Sequence, residues 1–195
     1  MGYFILVSII LVNFIIFPKA GTTQTQGQQD STSSTGTEFK PNKIPELTVP
    51  RIPNGKITID GVLDEAIWKD AAVADNFTEI SPGDNVRPEV ETIAYVAYDD
   101  EYIYFGFECY DDMKNIRASM TDRDRMYGDD WVGPFIDTYG NMNEAFEFYV
   151  NPYGIQGDLY WTPNYETSSE DFIFTAETKI HKDKWVAEMK IPFKS

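Results

Sequence analysis

The sequence predicts an all-β protein, an antiparallel two-sheet β-sandwich of jelly-roll-like form with one or two short helical turns. Short runs alternate apolar and polar side chains, the period of a strand with one buried face. Aromatic residues make up 15% of the chain, which favours pleated, half-buried surfaces over helices. No long stretch repeats its apolar residues at helical spacing. Only residues 64–70 and 113–120 suit a helical turn.

In chain order, Ile57 and Ile59 alternate with Thr58 and Asp60 as a strand would, and Asp60-Gly61 turns the chain. The segment DEAIW that follows reads as a helical turn with an acidic start and an apolar anchor at Trp68. Residues 92–98 and 102–110 form a hairpin about Asp99-Asp100-Glu101. In its second strand Ile103, Phe105, Phe107 and Cys109 share the core face. Residues 132–139 form a further strand, interrupted in character by Gly133-Pro134. Residues 145–151 set Phe146, Phe148 and Val150 against Glu147, Tyr149 and Asn151. Residues 172–180 and 185–191 alternate in the same way, with Phe174, Ala176, Trp185, Ala187 and Met189 inward. Antiparallel strands with one apolar face each pack as two sheets.

The N-terminus reads as separate from this fold. The apolar run over residues 3–17 is shorter than the roughly 20 residues a bilayer span needs, and suits an export signal over residues 1–20. An uncleaved N-terminal anchor is the alternative. Residues 21–45 are rich in Thr, Ser, Gln and Gly and read as a disordered linker. The domain is residues 46–195, with a C-terminal region expected to follow it. The expected location is exported: periplasm, outer membrane or extracellular.

The formal net charge of −16 lies in the domain, because residues 1–45 hold Lys19, Lys40 and Lys43 against only Asp30 and Glu38. Such a surface argues against nucleic acid and against an anionic membrane face. It attracts divalent cations, or keeps an exported protein soluble. Cys109 is the single cysteine, so no intrachain disulfide forms, and it reads as an inert core residue. With His181 the single histidine, a His-based triad and a zinc site of His and Cys are nearly excluded.

Five ordered segments carry a family resemblance: ITIDGVLDEAIW, VAYDDEYIYFGFECYDD, DRDRMYGDDWVGPFIDTY, EAFEFYVNPYGIQGD and WVAEMKIPFKS. Together they resemble the family 9 carbohydrate-binding modules. More narrowly, they resemble the N-terminal module of an uncharacterised bacterial envelope family. In that family the module precedes a region resembling an outer-membrane barrel, and IPFKS marks the passage between them. The resemblance implies a β-sandwich that binds poly- or oligosaccharide between aromatic rings, with Ca²⁺ bracing its loops. Aligned without gaps, a stacking tryptophan of the family falls at Tyr127, an acidic residue that holds hydroxyls at Gly133, and an arginine at Tyr149. The neighbouring asparagine is kept as Asn151. The second stacking aromatic would lie beyond Ser195. The implied sugar-binding set is Tyr127, Trp131, Tyr149 and Asn151, and the implied Ca²⁺ ligands are Asp111 and Asp112.

From the residues themselves, Tyr127, Trp131, Tyr149 and Trp161 stand outside the core alternation. They either stack on ligands or cover the edges of the sandwich. Asp111-Asp112 after a strand end offers hard oxygen ligands for Ca²⁺, or is a solvated acidic turn. Asp130 suits a structural role, closing its loop onto backbone amides. Asp129 with Glu147 or Asp158 are nominal pairs for glycoside hydrolysis, which needs two facing carboxyls about 5–10 Å apart. In so acidic a chain such pairs arise by chance. The expectation is therefore a non-catalytic module, with any O-glycosyl hydrolase activity supplied by a linked domain. The alternative is a structural periplasmic domain packed on a barrel with a vestigial sugar site.

Overall fold

The computed structural model describes residues 46–79 and 86–194. The expected export signal and linker lie outside the described residues. The described chain forms β1 (Ala72–Ala74), β2 (Thr92–Tyr98), β3 (Tyr102–Tyr110), β4 (Phe135–Ile136), β5 (Ala145–Val150), β6 (Gln156–Thr162), β7 (Tyr165–Thr167), β8 (Thr175–Ile180) and β9 (Lys184–Pro192). A five-stranded sheet has the order β1-β2-β3-β9-β8, and a four-stranded sheet the order β4-β5-β6-β7. Every strand pair is antiparallel. The sandwich expected from the alternation is the fold that forms.

The core between the sheets uses the faces read from the sequence. Ile103, Phe105, Phe107 and Cys109 of β3 meet Trp185, Ala187, Met189 and Ile191 of β9, and Phe148 and Val150 close it from the other sheet. Burial pushes the Cys109 thiol well above its usual range, so it stays protonated and unreactive.

The expected strand at residues 57–60 does not form. Its alternation reflects burial, not pairing. The segment lies on the outer face of the five-stranded sheet, where Ile52, Ile57 and Trp68 pack with Ala97 and Tyr104. Side chains, not a strand, take up backbone donors here: Glu65 accepts the Thr58 amide at 2.8 Å, and Glu188 serves Asp60 and the turn after it. Glu188 of β9 is fully buried. It accepts N–H bonds from Asp60 (2.9 Å), Gly61 (2.9 Å) and Val62 (3.3 Å), and from the Trp68 indole (3.0 Å). Burial pushes this carboxyl up to about 7, against the pull of the Asp60 and Gly61 amides. Gly61 has φ +80°, and a Cβ there would come within 2.8 Å of the Thr178 backbone, so glycine is required at this turn.

Other boundaries differ. The helical turn at 64–70 contracts to a 3₁₀ turn, Ala66–Lys69. Residues 113–120 are not helical. Asp112 instead accepts the Lys114 amide on its side chain (3.1 Å) and the Asn115 amide on its carbonyl (2.7 Å), a local turn that competes with helix. The strand expected over 132–139 is reduced to β4 plus a bridge between Val132 and Val150. Pro134 has no N–H to donate to Phe148, so the ladder breaks there while the register runs on.

The segments that enter and leave the domain meet at one turn. The Ile52 amide bonds the Tyr98 carbonyl, Arg51 pairs with Asp100, and the Phe193 amide bonds the Glu101 carbonyl.

Candidate functional site

The outer face of the four-stranded sheet carries the candidate site. Pairing places Phe135, Glu147 and Leu159 in one row, Tyr149 opposite Gly157, and Ala145 opposite Trp161. Phe148 and Val150 point the other way, into the core. Trp131 and Gly133 continue the alternation of Phe135 onto this outer face. The result is a layer of aromatic rings where a solvated sheet face would ordinarily be polar.

Three of the residues picked out from the sequence come together here. The Trp131 and Tyr149 rings lie 4.4 Å apart at 57°, and Tyr127 meets Tyr149 edge-on at 6.2 Å. Tyr127 lies over β6 because Gly157 has no side chain; a Cβ there would come within 2.8 Å of the Tyr127 hydroxyl. That hydroxyl donates to the Asp158 carbonyl at 3.4 Å. Tyr127 and Trp131 keep part of their surface in solvent, while Tyr149 is buried. Gly133 lets its segment lie directly against β5, since a Cβ there would overlap the Phe148 carbonyl oxygen at 1.7 Å.

Asn151 lies two residues beyond Tyr149, fully buried. Its amide nitrogen donates to the Ser119 carbonyl (3.0 Å) and to Asp129 (2.9 Å), and its oxygen accepts from the Tyr153 (3.0 Å) and Ile155 (2.9 Å) amides. It therefore fixes the loop that carries Asp129. Asp130 closes the same loop by accepting the Arg117 amide at 2.8 Å.

Glu147 lies beneath the rings, 3% exposed, and accepts the Tyr149 hydroxyl at 2.7 Å. Burial pushes its carboxyl up to about 7, against the pull of the Tyr149 hydroxyl, while Glu166 adds repulsion. A carboxyl raised by folding contributes stability that is complete below the ordinary carboxylate range and is lost as pH rises through 7. Lowering the pH from about 8 to about 5 should thus raise the unfolding free energy, with about 2.5 kcal/mol from Glu147. Glu147→Gln should remove that share of the rise in denaturant titrations at each pH and leave the share of Glu188, whose carboxyl is raised to the same range. An unchanged pH profile would show that Glu147 titrates normally.

Asp158 and Glu147 project from opposite faces of the sheet, since Asp158 pairs with Phe148 on the core side. Asp158 is fully buried and paired with Arg123. Carboxylate oxygens of Asp124, Asp158 and Asp171 gather within 4.8 Å of one another. Arg123 sits among them and supplies the counter-charge, with its Nε 4.0 Å from Asp124 and 3.8 Å from Asp171.

Asp111 and Asp112 follow β3. Asp111 accepts the Asp112 amide at 2.6 Å. Burial pushes its carboxyl up, and Asp130 and Asp112 repel it further.

Sequence reasoning missed Phe135, whose ring meets Trp161 at 5.4 Å, and the place of Glu147 beneath the platform. The spacing of Phe135, Trp131 and Gly133 held that signal, but Gly133-Pro134 obscured it.

Residues 59–195 match the family described as carbohydrate family 9 binding domain-like. Solved structures of similar fold include a family 9 carbohydrate-binding module from Caldicellulosiruptor kristjanssonii in complex with cellotriose. It is 20% identical, with a TM-score of 0.54, covering 75% of this chain and 67% of that one. The complex of such a module from the same organism with glucose is 21% identical, with a TM-score of 0.51, covering 74% of this chain and 69% of that one. A proposed carbohydrate-binding protein from Bacteroides uniformis ATCC 8492 is 13% identical, with a TM-score of 0.58, covering 74% and 71%. No curated relative matches the chain. The chain belongs to the carbohydrate family 9 binding domain-like family.

Proposed function

We propose that the outer face of the four-stranded sheet is a non-catalytic carbohydrate-binding site, with Tyr127 and Trp131 stacking on sugar rings. The observation that carries this reading is the convergence of the Tyr127, Trp131 and Tyr149 rings on one open sheet face. Ring faces bind the apolar face of a sugar, and half-buried rings keep that face accessible. Strands β4 to β7 hold no Lys or Arg, so the face suits a neutral polyhydroxyl ligand rather than an anionic one. Glucose and cellotriose, the ligands of the Caldicellulosiruptor modules, are the natural first probes. In this reading Tyr149 is the floor of the platform, held by Glu147. Asn151 acts one step back, by fixing Asp129.

The module serves carbohydrate catabolism through a linked hydrolase or uptake domain, by raising local substrate concentration. The protein is exported, and the module precedes an outer-membrane barrel region. A Ca²⁺ ion braces the loop of Asp111 and Asp112. The repulsion of Asp111 by Asp112 and Asp130, which Arg117 offsets in part, supports this, because a cation would relieve it.

Calorimetric titration of the chain with mono- and oligosaccharides, with and without Ca²⁺, tests the reading. Binding should fall in the micromolar to millimolar range. Tyr127→Ala should weaken it about tenfold or more, the worth of one stacked ring. Unchanged affinity in that variant would refute the stacking site. If chelator leaves the melting temperature unchanged, Ca²⁺ has no structural part.

A second reading is favoured by the side chains spent inside the protein. The Tyr149 hydroxyl is committed to Glu147, the Asn151 amide to the Asp129 loop, and position 133 has no side chain. A structural domain that packs its aromatic face against a neighbouring barrel would have the same features. Absence of sugar binding in a folded chain would favour it.

A further inference from the structure

We propose that the same face carries a second stacking subsite, formed by Trp161 with Phe135, so that its ligand is an extended oligosaccharide lying along β5. This rests on the sugar-binding reading above. The register places Trp161 opposite Ala145 and Phe135 opposite Glu147, all on the face of Tyr149. The Phe135 and Trp161 rings meet at 5.4 Å and 65°, across β5 from either side. They can close over the strand because Ala145 offers only a methyl group beneath them, 1% exposed. Both rings nevertheless remain half-exposed.

Spacing sets the size of the ligand. Tyr149 is paired with Gly157, and Trp161 lies four residues further along β6. At strand rise that separation is about 13 Å. A single pyranose ring on Tyr127 and Trp131 does not reach it, whereas a short glycan does. Charge sets the chemistry. The strands of this sheet contain no cation, and Glu166 lies across from Trp161 at the edge. Anionic chains such as uronic-acid polymers are repelled, and neutral glycans are not. Glu166, paired with Trp161, adds hydroxyl acceptors beside the second pair of rings.

The test is calorimetric titration of the full chain with two series, gluco- and xylo-oligosaccharides, from monosaccharide to hexamer. The wild-type chain should bind the hexamer of its preferred series about tenfold more tightly than the monosaccharide. Trp161→Ala should remove that gain and leave monosaccharide affinity in place, whereas Tyr127→Ala should weaken both. Trp161→Leu keeps an apolar cover over β5 and removes the stacking ring, so it should repeat the Trp161→Ala result in a chain whose melting temperature confirms its fold. Hexamer binding no tighter than monosaccharide binding would overturn the second subsite while the first stands. So would a folded Trp161→Leu chain with wild-type hexamer affinity. If the wild-type chain binds neither series, both the sugar reading and this subsite fail together.

Discussion

Gly133→Ala should lower the unfolding free energy by about 3 kcal/mol, a large part of the stability of a domain this size. The added methyl would meet the Phe148 carbonyl oxygen at 1.7 Å and the Phe148 carbonyl carbon at 2.7 Å. These are backbone atoms of a central strand and cannot rotate aside. The overlap is relieved only by parting β5 from the segment around β4, which breaks the bonds between Val132 and Val150 at 3.0 Å. Gly128→Ala is the control, since a Cβ there meets nothing within 4 Å. Denaturant unfolding should separate the two variants clearly. Equal midpoints would mean that the β4–β5 contact is looser than described. The same geometry explains why no acidic side chain can be restored at position 133 to hold sugar hydroxyls.

Glu188→Gln should cost about 3 kcal/mol. The carboxylate takes three backbone amides and the Trp68 indole onto its two oxygens. A glutamine has one acceptor oxygen, and its amide group would point donors at donors. Because those bonds fix the segment around the 3₁₀ turn, the loss should appear first as detachment of that segment. Trp68 is 4% exposed, so its emission should shift to the red and become quenchable by acrylamide at denaturant concentrations below the main transition. A single coincident transition at the wild-type midpoint would show that Glu188 is dispensable.

The two strongest strands could be read from residue pattern because their core faces obey the simple rule, although their outer faces are covered as well. β3 and β9 place aromatic and aliphatic residues inward at every second position. β6 could not be read this way, because its pattern is reversed. Asp158 faces the core and is neutralised there by Arg123, while Leu159 and Trp161 face outward. A buried ion pair and an aromatic outer face invert the signal that alternation carries. Residues 57–60 failed for a different reason. Their alternation correctly reports which side chains are buried, but burial against a sheet face does not require strand pairing when Glu65 takes the Thr58 amide and Glu188 that of Asp60. β1 and β7 each contain only three residues, too few for any periodicity.

The site was legible to the extent that it depends on residue type. Tyr127, Trp131 and Tyr149 stood out as rings with no place in the core, and they do converge. The roles of Glu147 and Asn151 depend on which partner their polar atoms reach, and that is decided by register and loop closure.

The meeting of Arg51, Asp100, Glu101 and Phe193 at one turn has a mechanical consequence. Residues 46–52 run parallel to β2, with Leu47 and Val49 against the core, and reach the turn at which Phe193 is also held. Both ends of the described chain are thus fastened to the β2–β3 hairpin, and loosening that hairpin frees both at once.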